Sequence, residues 1–181
     1  MESIANVIHL LFDCQQVFIM NSFKDLMLAD HRRCDVFFAS AEQAAAAQEW
    51  DRAKASFCAF QRAMEQHFSA EEQVLFPAFE HATGMTMGPT QVMRDEHVQM
   101  NQLMAAAQQS LGVRDGEDFS GNTETLLIMM QQHNMKEEQV LYPMCDAHLS
   151  DQAASLLAQL SAQIGTAPAL QASRPRTRSR R

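Results

Sequence analysis

The sequence predicts an all-α protein: an antiparallel up-down four-helix bundle built from a duplicated helical hairpin, with short extra helices at the N- and C-terminal ends. Three observations lead to this fold class. Apolar residues recur at helical spacing in four long segments, while signals for β-strands are nearly absent. Connections of up to about ten residues separate these segments, which is typical of antiparallel neighbours in a bundle. The third observation is an internal repeat.

The repeat is clearest in an eleven-residue motif that occurs at positions 67–77 and again at positions 133–143. Seven of the eleven positions are identical: the His, both Glu, the Gln, the Val, the Leu and the Pro. The same offset of 66 residues relates His31 to His97, each directly preceded by an acidic residue. A fixed offset over more than fifty residues indicates a duplicated hairpin. The duplication predicts an internal pseudo-two-fold axis.

Length and composition indicate one domain with appendages. The chain has 181 residues and 46% apolar content, which is enough for a sizeable core. No run of about 18 apolar residues occurs, so no transmembrane helix is expected, and no basic region precedes the first apolar patch, unlike a signal peptide. The four cysteines are scattered without a C-x-x-C pattern. This pattern is typical of reduced thiols, so we expect a cytoplasmic protein.

The charge distribution is asymmetric. The net charge is −8, but residues 174–181 carry five Arg and no acidic residue, which leaves −13 on the rest of the chain. An acidic body argues against nucleic-acid binding through the fold. The basic tail could contact an anionic partner, although a solvated end is the favoured interpretation.

We expect four parts along the chain. Residues 1–20 form an apolar segment, expected to be helical, residues 21–148 the bundle, residues 149–165 a short helix, and residues 166–181 a disordered basic tail. The N-terminal segment has two alternatives: packing on the body, or pairing subunits in a homodimer. Its helical spacing rests on five apolar residues, Ile4, Val7, Ile8, Leu11 and Phe12.

The first hairpin is predicted from capping residues and a proline. Asn21 and Ser22 offer an N-cap for a first helix that extends to about Gln48. Asp51 is predicted to cap the second helix. Pro77 should kink or restart that helix, because proline lacks a backbone donor and clashes with the preceding turn.

The second hairpin repeats this plan after a loop over residues 83–88. The third helix begins at Pro89, a favourable first helical position. Residues 112–121 are predicted to form a polar, Gly-containing loop, and Asn122 or Thr123 to start the fourth helix. Pro143 repeats the break. A fifth, short helix is capped by Ser150 and Asp151 and ends near Ile164.

Six chemically active residues fall on the apolar faces of these helices. His67 and Glu71 are four positions apart, so they lie about 40° and about 6 Å apart on one side of a helix. His133 and Glu137 repeat the spacing, and His31 and His97 lie between apolar residues on the first and third helices. A single His-x-x-x-Glu is usually a surface pair. The duplicated pair, with a matching upstream His in each copy, favours a metal site.

Burial of two carboxylates requires a compensating cation, because an unpaired buried charge costs many kcal/mol. Four His and two Glu together favour iron, manganese or zinc over calcium or magnesium. Two metals that share two bridging Glu would each hold two His and two carboxylate oxygens. Such a site leaves room for a bridging oxygen and an exchangeable ligand.

These residues, followed by Phe76-Pro77 and Tyr142-Pro143, resemble the hemerythrin-like (HHE cation-binding) domain family in its four-His, two-Glu subtype. The resemblance covers about residues 22–148. It implies a four-helix bundle around a non-heme di-iron centre with two iron ions, oxo- or hydroxo-bridged. Members bind O2 or NO, sense oxygen or iron, or help to repair iron–sulfur clusters. The implied metal ligands are His31, His67, Glu71, His97, His133 and Glu137.

Two departures from the family pattern narrow the function. The five-histidine oxygen carriers have a further His where this chain has Asn101, and an Asp at the spacing occupied here by Glu138. This argues against reversible oxygen storage in the manner of the carriers. The iron–sulfur repair proteins usually add adjacent N-terminal cysteines, whereas Cys14 stands alone.

The sequence therefore predicts a di-iron protein that binds O2 or NO for sensing or stress protection. The alternatives are a di-iron oxidase, peroxidase or NO reductase, an iron–sulfur repair protein, or a scaffold with a structural metal. Glu72 and Glu138 are expected to face solvent or to form helix-surface pairs. Tyr142 is expected to be a core hydroxyl at the bundle end, with a hydrogen bond near the metals as the alternative. His81 and His148 are placed outside the site.

Overall fold

A computed structural model describes residues 22–164, and all regular structure in this range is helical, without a β-strand. The all-α prediction is confirmed. The predicted N-terminal segment (1–20) and basic tail (166–181) lie outside the described residues. The elements are α1 Phe23–Ala46, α2 Trp50–Ala70, the π-helical segment π1 Glu71–Leu75, α3 Phe76–Thr83, α4 Pro89–Val113, α5 Gly116–Lys136, the π-helical segment π2 Glu137–Leu141, α6 Tyr142–His148, a 3-10 turn Ser150–Gln152 and α7 Ala153–Ile164.

The long helices pack mainly as two hairpins. Helix α1 lies against α2 and α4 against α5, and further contacts join α2 to α4 and α1 to α5. Two apolar clusters fill the interior. One contains the aromatic residues near the α1–α2 and α4–α5 connections, and the other contains residues of α3, α6 and α7. No described helix is long and apolar enough to span a membrane.

The first hairpin begins as expected but turns slightly earlier. The Ser22 side chain accepts a hydrogen bond from the Asp25 N–H and caps α1. Helix α1 ends at Ala46, and Gln48 adopts a left-handed φ of 56° in the tight turn. The predicted Asp51 cap is wrong, because α2 already starts at Trp50 and places Asp51 in its first turn.

The predicted loop over residues 112–121 is also wrong. Helix α4 continues to Val113, and α5 starts at Gly116, where the Asp115 side chain accepts a hydrogen bond from the Asp118 N–H at 3.0 Å. Phe119 is buried and packs edge-on against Phe57, with ring centroids 5.5 Å apart. This cap and the burial of Phe119 hold the Gly- and Ser-containing stretch in the helix, so neither Asn122 nor Thr123 begins it.

The breaks predicted at Pro77 and Pro143 appear as wide turns rather than interruptions. The Phe76 N–H bonds to the Glu71 carbonyl and the Tyr142 N–H to the Glu137 carbonyl, five residues back in each case. A proline just beyond cannot donate its own bond, and a π-helical turn absorbs the mismatch. Each wide turn starts at one of the two repeated glutamates.

Helix α7 covers one repeat and leaves the other open. Its predicted cap at Ser150 and Asp151 is wrong, since these residues form the 3-10 turn before α7 begins at Ala153. The helix packs on α1, α2 and π1 and buries Leu156, Leu160 and Ile164. Val74 of π1 is partly buried in this cluster, whereas its repeat counterpart Val140 is 51% exposed. The two copies therefore keep the same helical structure, but their surroundings differ, because α7 covers only the first copy.

Replacing Phe60 by Ala should destabilise the fold without affecting the polar centre. Phe60 is fully buried, and its ring centroid lies 5.1 Å from that of Phe38 and 5.6 Å from that of Phe57. The cavity should lower the free energy of unfolding by about 3–5 kcal/mol, measured by urea denaturation. Exposed Arg62→Ala on the same helix is the control and should change stability by less than about 0.5 kcal/mol. Equal stabilities of F60A and R62A would contradict this packing.

Candidate metal centre

The structure brings all six sequence-predicted residues together between the two apolar clusters. Four helices supply one imidazole each, and the two carboxylates are the first residues of the π-helical segments. The Glu71 and Glu137 side chains are completely buried, and the histidines are at most 5% exposed. The imidazoles belong to His31 on α1, His67 on α2, His97 on α4 and His133 on α5.

The imidazoles form two pairs that face each other through their Nε2 atoms. His31 Nε2 lies 3.1 Å from His67 Nε2, and His97 Nε2 lies 3.3 Å from His133 Nε2. We call the first pair the His31–His67 half and the second pair the His97–His133 half. Each half therefore joins the two helices of one hairpin.

The carboxylates span the two halves. Glu71 Oε2 lies 3.5 Å from His67 Nε2 and 3.3 Å from His97 Nε2. Glu137 places Oε1 3.1 Å from His133 Nε2 and Oε2 3.4 Å from His31 Nε2. Ligand atoms within 4.8 Å of one another form two groups that share Glu137. One group is Glu71, His97, His133 and Glu137, and the other is His31, His67 and Glu137.

Two buried oxygens at this centre call for a cation. Glu71 Oε2 and Glu137 Oε1 are inaccessible to solvent and have no hydrogen-bond partner in the described part of the chain. Buried polar atoms are normally hydrogen-bonded, and an uncompensated buried carboxylate is costly. Imidazole nitrogens and carboxylate oxygens are ligands of transition metals. The residues present therefore fit a bound metal cation.

A second layer of carboxylates holds the other nitrogen of every imidazole. Because an ionised carboxylate only accepts hydrogen bonds, each Nδ1 must donate, which leaves the Nε2 lone pair facing the centre. The four bonds are His31 Nδ1 to Glu138 Oε1 at 2.8 Å, His97 Nδ1 to Glu72 Oε1 at 2.7 Å, His67 Nδ1 to Asp30 Oδ2 at 3.0 Å and His133 Nδ1 to Glu96 Oε2 at 3.0 Å.

A family model described as the hemerythrin HHE cation-binding domain matches residues 22–145, more than two thirds of the chain. The chain belongs to the hemerythrin HHE family. No curated protein and no solved structure matches it significantly. The buried His and Glu residues therefore lie in a domain whose family binds cations.

The second-layer bonds of this hemerythrin-family domain cross every interface between neighbouring long helices. Asp30 joins α1 to α2, and Glu96 joins α4 to α5. Glu72, in π1 after α2, bonds to α4, and Glu138, in π2 after α5, bonds to α1. The bonds of Glu72 and Glu138 therefore join the two hairpins, and those of Asp30 and Glu96 join the two helices within each hairpin.

The expectation that Glu72 and Glu138 lie on the solvent side is correct, but it misses their hydrogen bonds to the site histidines. Both side chains reach the bundle surface, where they are 39% and 27% exposed, but each accepts a hydrogen bond from a site histidine. Their role could have been inferred from the chemistry of the site, because a metal-binding histidine needs a hydrogen-bond acceptor for its other ring nitrogen. Each of these acids lies next to a predicted ligand in the sequence, as do Asp30 and Glu96.

Tyr142 also differs from the favoured expectation of a hydroxyl at the bundle end. Its hydroxyl is fully buried at the centre, where it lies 2.7 Å from Glu71 Oε1 and 3.0 Å from Glu137 Oε2. The alternative interpretation, a hydrogen bond near the metal site, is therefore the correct one. His81 and His148 lie outside the centre, and His148 packs edge-on against Phe79.

The electrostatics of the centre favour protons on His31 and His133 when no cation is bound. Burial lowers the pKa of His31, but the hydrogen bond and charge of Glu137, with Glu138, outweigh it and raise that pKa to about 9. Burial also lowers the pKa of His133, but the negative charge of Glu137 outweighs this effect and raises that pKa. Burial would raise the pKa of Glu137, yet His133 and His31 hold it well below its usual value.

Replacing Glu138 by Gln should weaken metal binding without removing a ligand. Without a carboxylate at its Nδ1, His31 is less basic and less well oriented. We expect about a 10- to 100-fold loss of metal affinity, measured by competition with a chromophoric chelator. Exposed Glu65→Gln on α2 is the matched control and should bind like the wild type. Wild-type affinity in E138Q would contradict the orienting role.

Metal should stabilise the protein more strongly as the pH rises from 6 to 9. Because the folded pKa of His31 exceeds its unfolded value, its contribution to metal-free stability is full below about pH 6.5 and lost towards pH 9. Metal binding displaces such protons, so affinity should gain up to about tenfold per pH unit for each proton released. The measurement is the melting-temperature difference between loaded and metal-free protein. A difference independent of pH would contradict this proton competition.

Proposed function

We propose that this protein holds a non-heme di-iron centre and binds a small diatomic ligand, O2 or NO, for sensing or stress protection. The observation that carries the proposal is the pair of overlapping ligand groups that share Glu137, with two buried carboxylate oxygens that have no hydrogen-bond partner among residues 22–164. The proposed iron ligands are His31, His67, Glu71, His97, His133 and Glu137.

The proposed fold around this centre is an antiparallel up-down four-helix bundle over residues 21–148, followed by the short C-terminal helix. The hairpin packing of α1 with α2 and of α4 with α5 supports this arrangement. The pseudo-two-fold axis that we propose exchanges the two halves of the centre. Every ligand and every second-layer acid has a counterpart 66 residues away, which supports this symmetry.

Two features support iron over a structural metal. Both halves combine imidazole with carboxylate, a ligand set that suits redox-active iron, whereas structural zinc sites are closed by four ligands to one ion, usually Cys and His. Bound iron would supply a redox couple and open coordination positions. The chain's own residues orient the imidazoles through Nδ1 and surround the centre with apolar side chains.

The surroundings favour a very small ligand. The six proposed ligand residues are at most 5% exposed, so no large substrate can contact them. The Phe68 ring stacks on the His97 ring, with centroids 3.9 Å apart and an interplanar angle of 19°. Leu75 and Leu141 are buried in the apolar cluster formed with α3, α6 and α7. O2 and NO are small and apolar enough to cross such a shell.

A di-iron redox enzyme is the second candidate, and one observation favours it. The sequence alone offered no acid or base beside the ligands, but the Tyr142 hydroxyl lies 3.3 Å from His31 Nε2. A proton donor at this place is what an oxidase, a peroxidase or an NO reductase requires. Continued gas consumption in the presence of a reductant would distinguish this enzyme from a stoichiometric binder.

The proposed function predicts a spectral response to gas. Anaerobic iron-loaded protein should gain charge-transfer bands in its absorption spectrum on addition of O2 or NO, because open positions on iron accept the gas. Glu137→Ala removes the carboxylate shared by both groups and should abolish the response, whereas His148→Ala, outside the centre, should retain it. Protein with two irons and no spectral change with either gas would contradict gas binding.

A further inference from the structure

The two halves of the centre differ at one repeated position. Phe76 and Tyr142 are counterparts in the duplication, each directly after a π-helical segment and each fully buried. The six proposed ligands and the acids that bond to the imidazoles all recur at the 66-residue offset, with only Asp30 replaced by Glu96. Of these two residues, only Tyr142 has a hydroxyl, and this hydroxyl contacts both central carboxylates.

This hydroxyl lies on the side of the His31–His67 half. Besides its contacts of 2.7 Å to Glu71 Oε1 and 3.0 Å to Glu137 Oε2, it is 3.3 Å from His31 Nε2. The shortest of these contacts is to Glu71, so the phenolic O–H donates its hydrogen bond to that carboxylate. This hydrogen bond occupies one lone pair of Glu71 Oε1 and fixes its direction, so the oxygen is a weaker ligand for a cation than a carboxylate oxygen without a hydrogen bond.

The engaged oxygen leaves the two halves with different ligand sets. The free oxygen of Glu71, Oε2, joins the group of His97, His133 and Glu137, which has four ligand residues. The group at the His31–His67 half has three ligand residues, with Glu137 as its carboxylate, and Glu71 Oε2 lies 3.5 Å from His67 Nε2 but 3.3 Å from His97 Nε2. The Tyr142 hydroxyl also lies 3.0 Å from Glu137 Oε2.

The His97–His133 half faces apolar rings instead. Phe76 lies parallel to the His97 ring, with centroids 6.0 Å apart and an interplanar angle of 19°. Phe68 stacks on the same imidazole. A phenyl ring has no hydrogen-bond donor, so neither residue competes for the carboxylate oxygens of this half.

We propose that the two halves bind metal with unequal affinity and fill in order, first the His97–His133 half and then the His31–His67 half. Tyr142 is the positioning residue that sets this order by holding Glu71 Oε1 away from the second half. The inference rests on the proposed metal-binding function, and it adds which half binds first and why.

The test is an anaerobic titration of metal-free protein with Fe²⁺, followed by calorimetry and repeated with Co²⁺ absorption. The wild type should show two binding steps whose dissociation constants differ by at least about tenfold. Tyr142→Phe keeps the ring and frees Glu71 Oε1, so it should strengthen the second step roughly three- to tenfold, the usual worth of one hydrogen bond. His31→Ala should retain the tighter step, and His97→Ala should lose it.

The matched control is Ser56→Ala, which removes another buried hydroxyl, hydrogen-bonded to Ser40 at 3.1 Å. It should leave both constants unchanged. Two equal steps in the wild type would overturn the inference, as would an unchanged or weakened second step in Y142F. These outcomes leave the proposed function intact, because two metals still bind. Absence of Fe²⁺ and Co²⁺ binding would instead contradict the proposed function itself.

Discussion

Glu71 and Glu137 are completely buried at the centre of the helices, and the rest of the molecule accommodates their charge. An ionised carboxylate in such a place is costly unless cations and hydrogen bonds compensate it. Four imidazoles surround the pair, and four further carboxylates bond to the outer nitrogens of those imidazoles. Since these outer bonds also join neighbouring helices, loss of the central charge balance should loosen the helix packing as well.

The ligand set could be predicted from sequence because duplication supplies an internal control. A single His-x-x-x-Glu carries little information, but His67 and Glu71 recur with their upstream histidine at a fixed offset. The bonds of Glu72 and Glu138 to the site histidines could not be predicted, because these residues lie one position past the ligands and so point about 100° away from them on a helix. Their partners are the outward-facing Nδ1 atoms of imidazoles on neighbouring helices, which requires knowledge of the packing.

The presence of the long helices could be predicted from the sequence, but not all of their first and last residues. The apolar periodicity identified α1, α2, α4 and α5, while the polar stretch before Asn122 suggested a loop that the structure replaces by a helical turn. Local composition favours a loop there, but burial of Phe119 against Phe57 outweighs that preference. Tyr142 shows the same limit, because sequence gives its place after π2 but not the direction of its hydroxyl towards Glu71.

The most direct test of this account is the metal content of the full chain, purified without oxygen from cells grown in iron-containing medium. Two overlapping ligand groups that share Glu137 predict two iron ions per chain, measured by elemental analysis against protein concentration. A protein that folds fully with one zinc ion, or with no metal at all, would contradict the central claim. The buried carboxylates would then have to be balanced by protonated imidazoles alone.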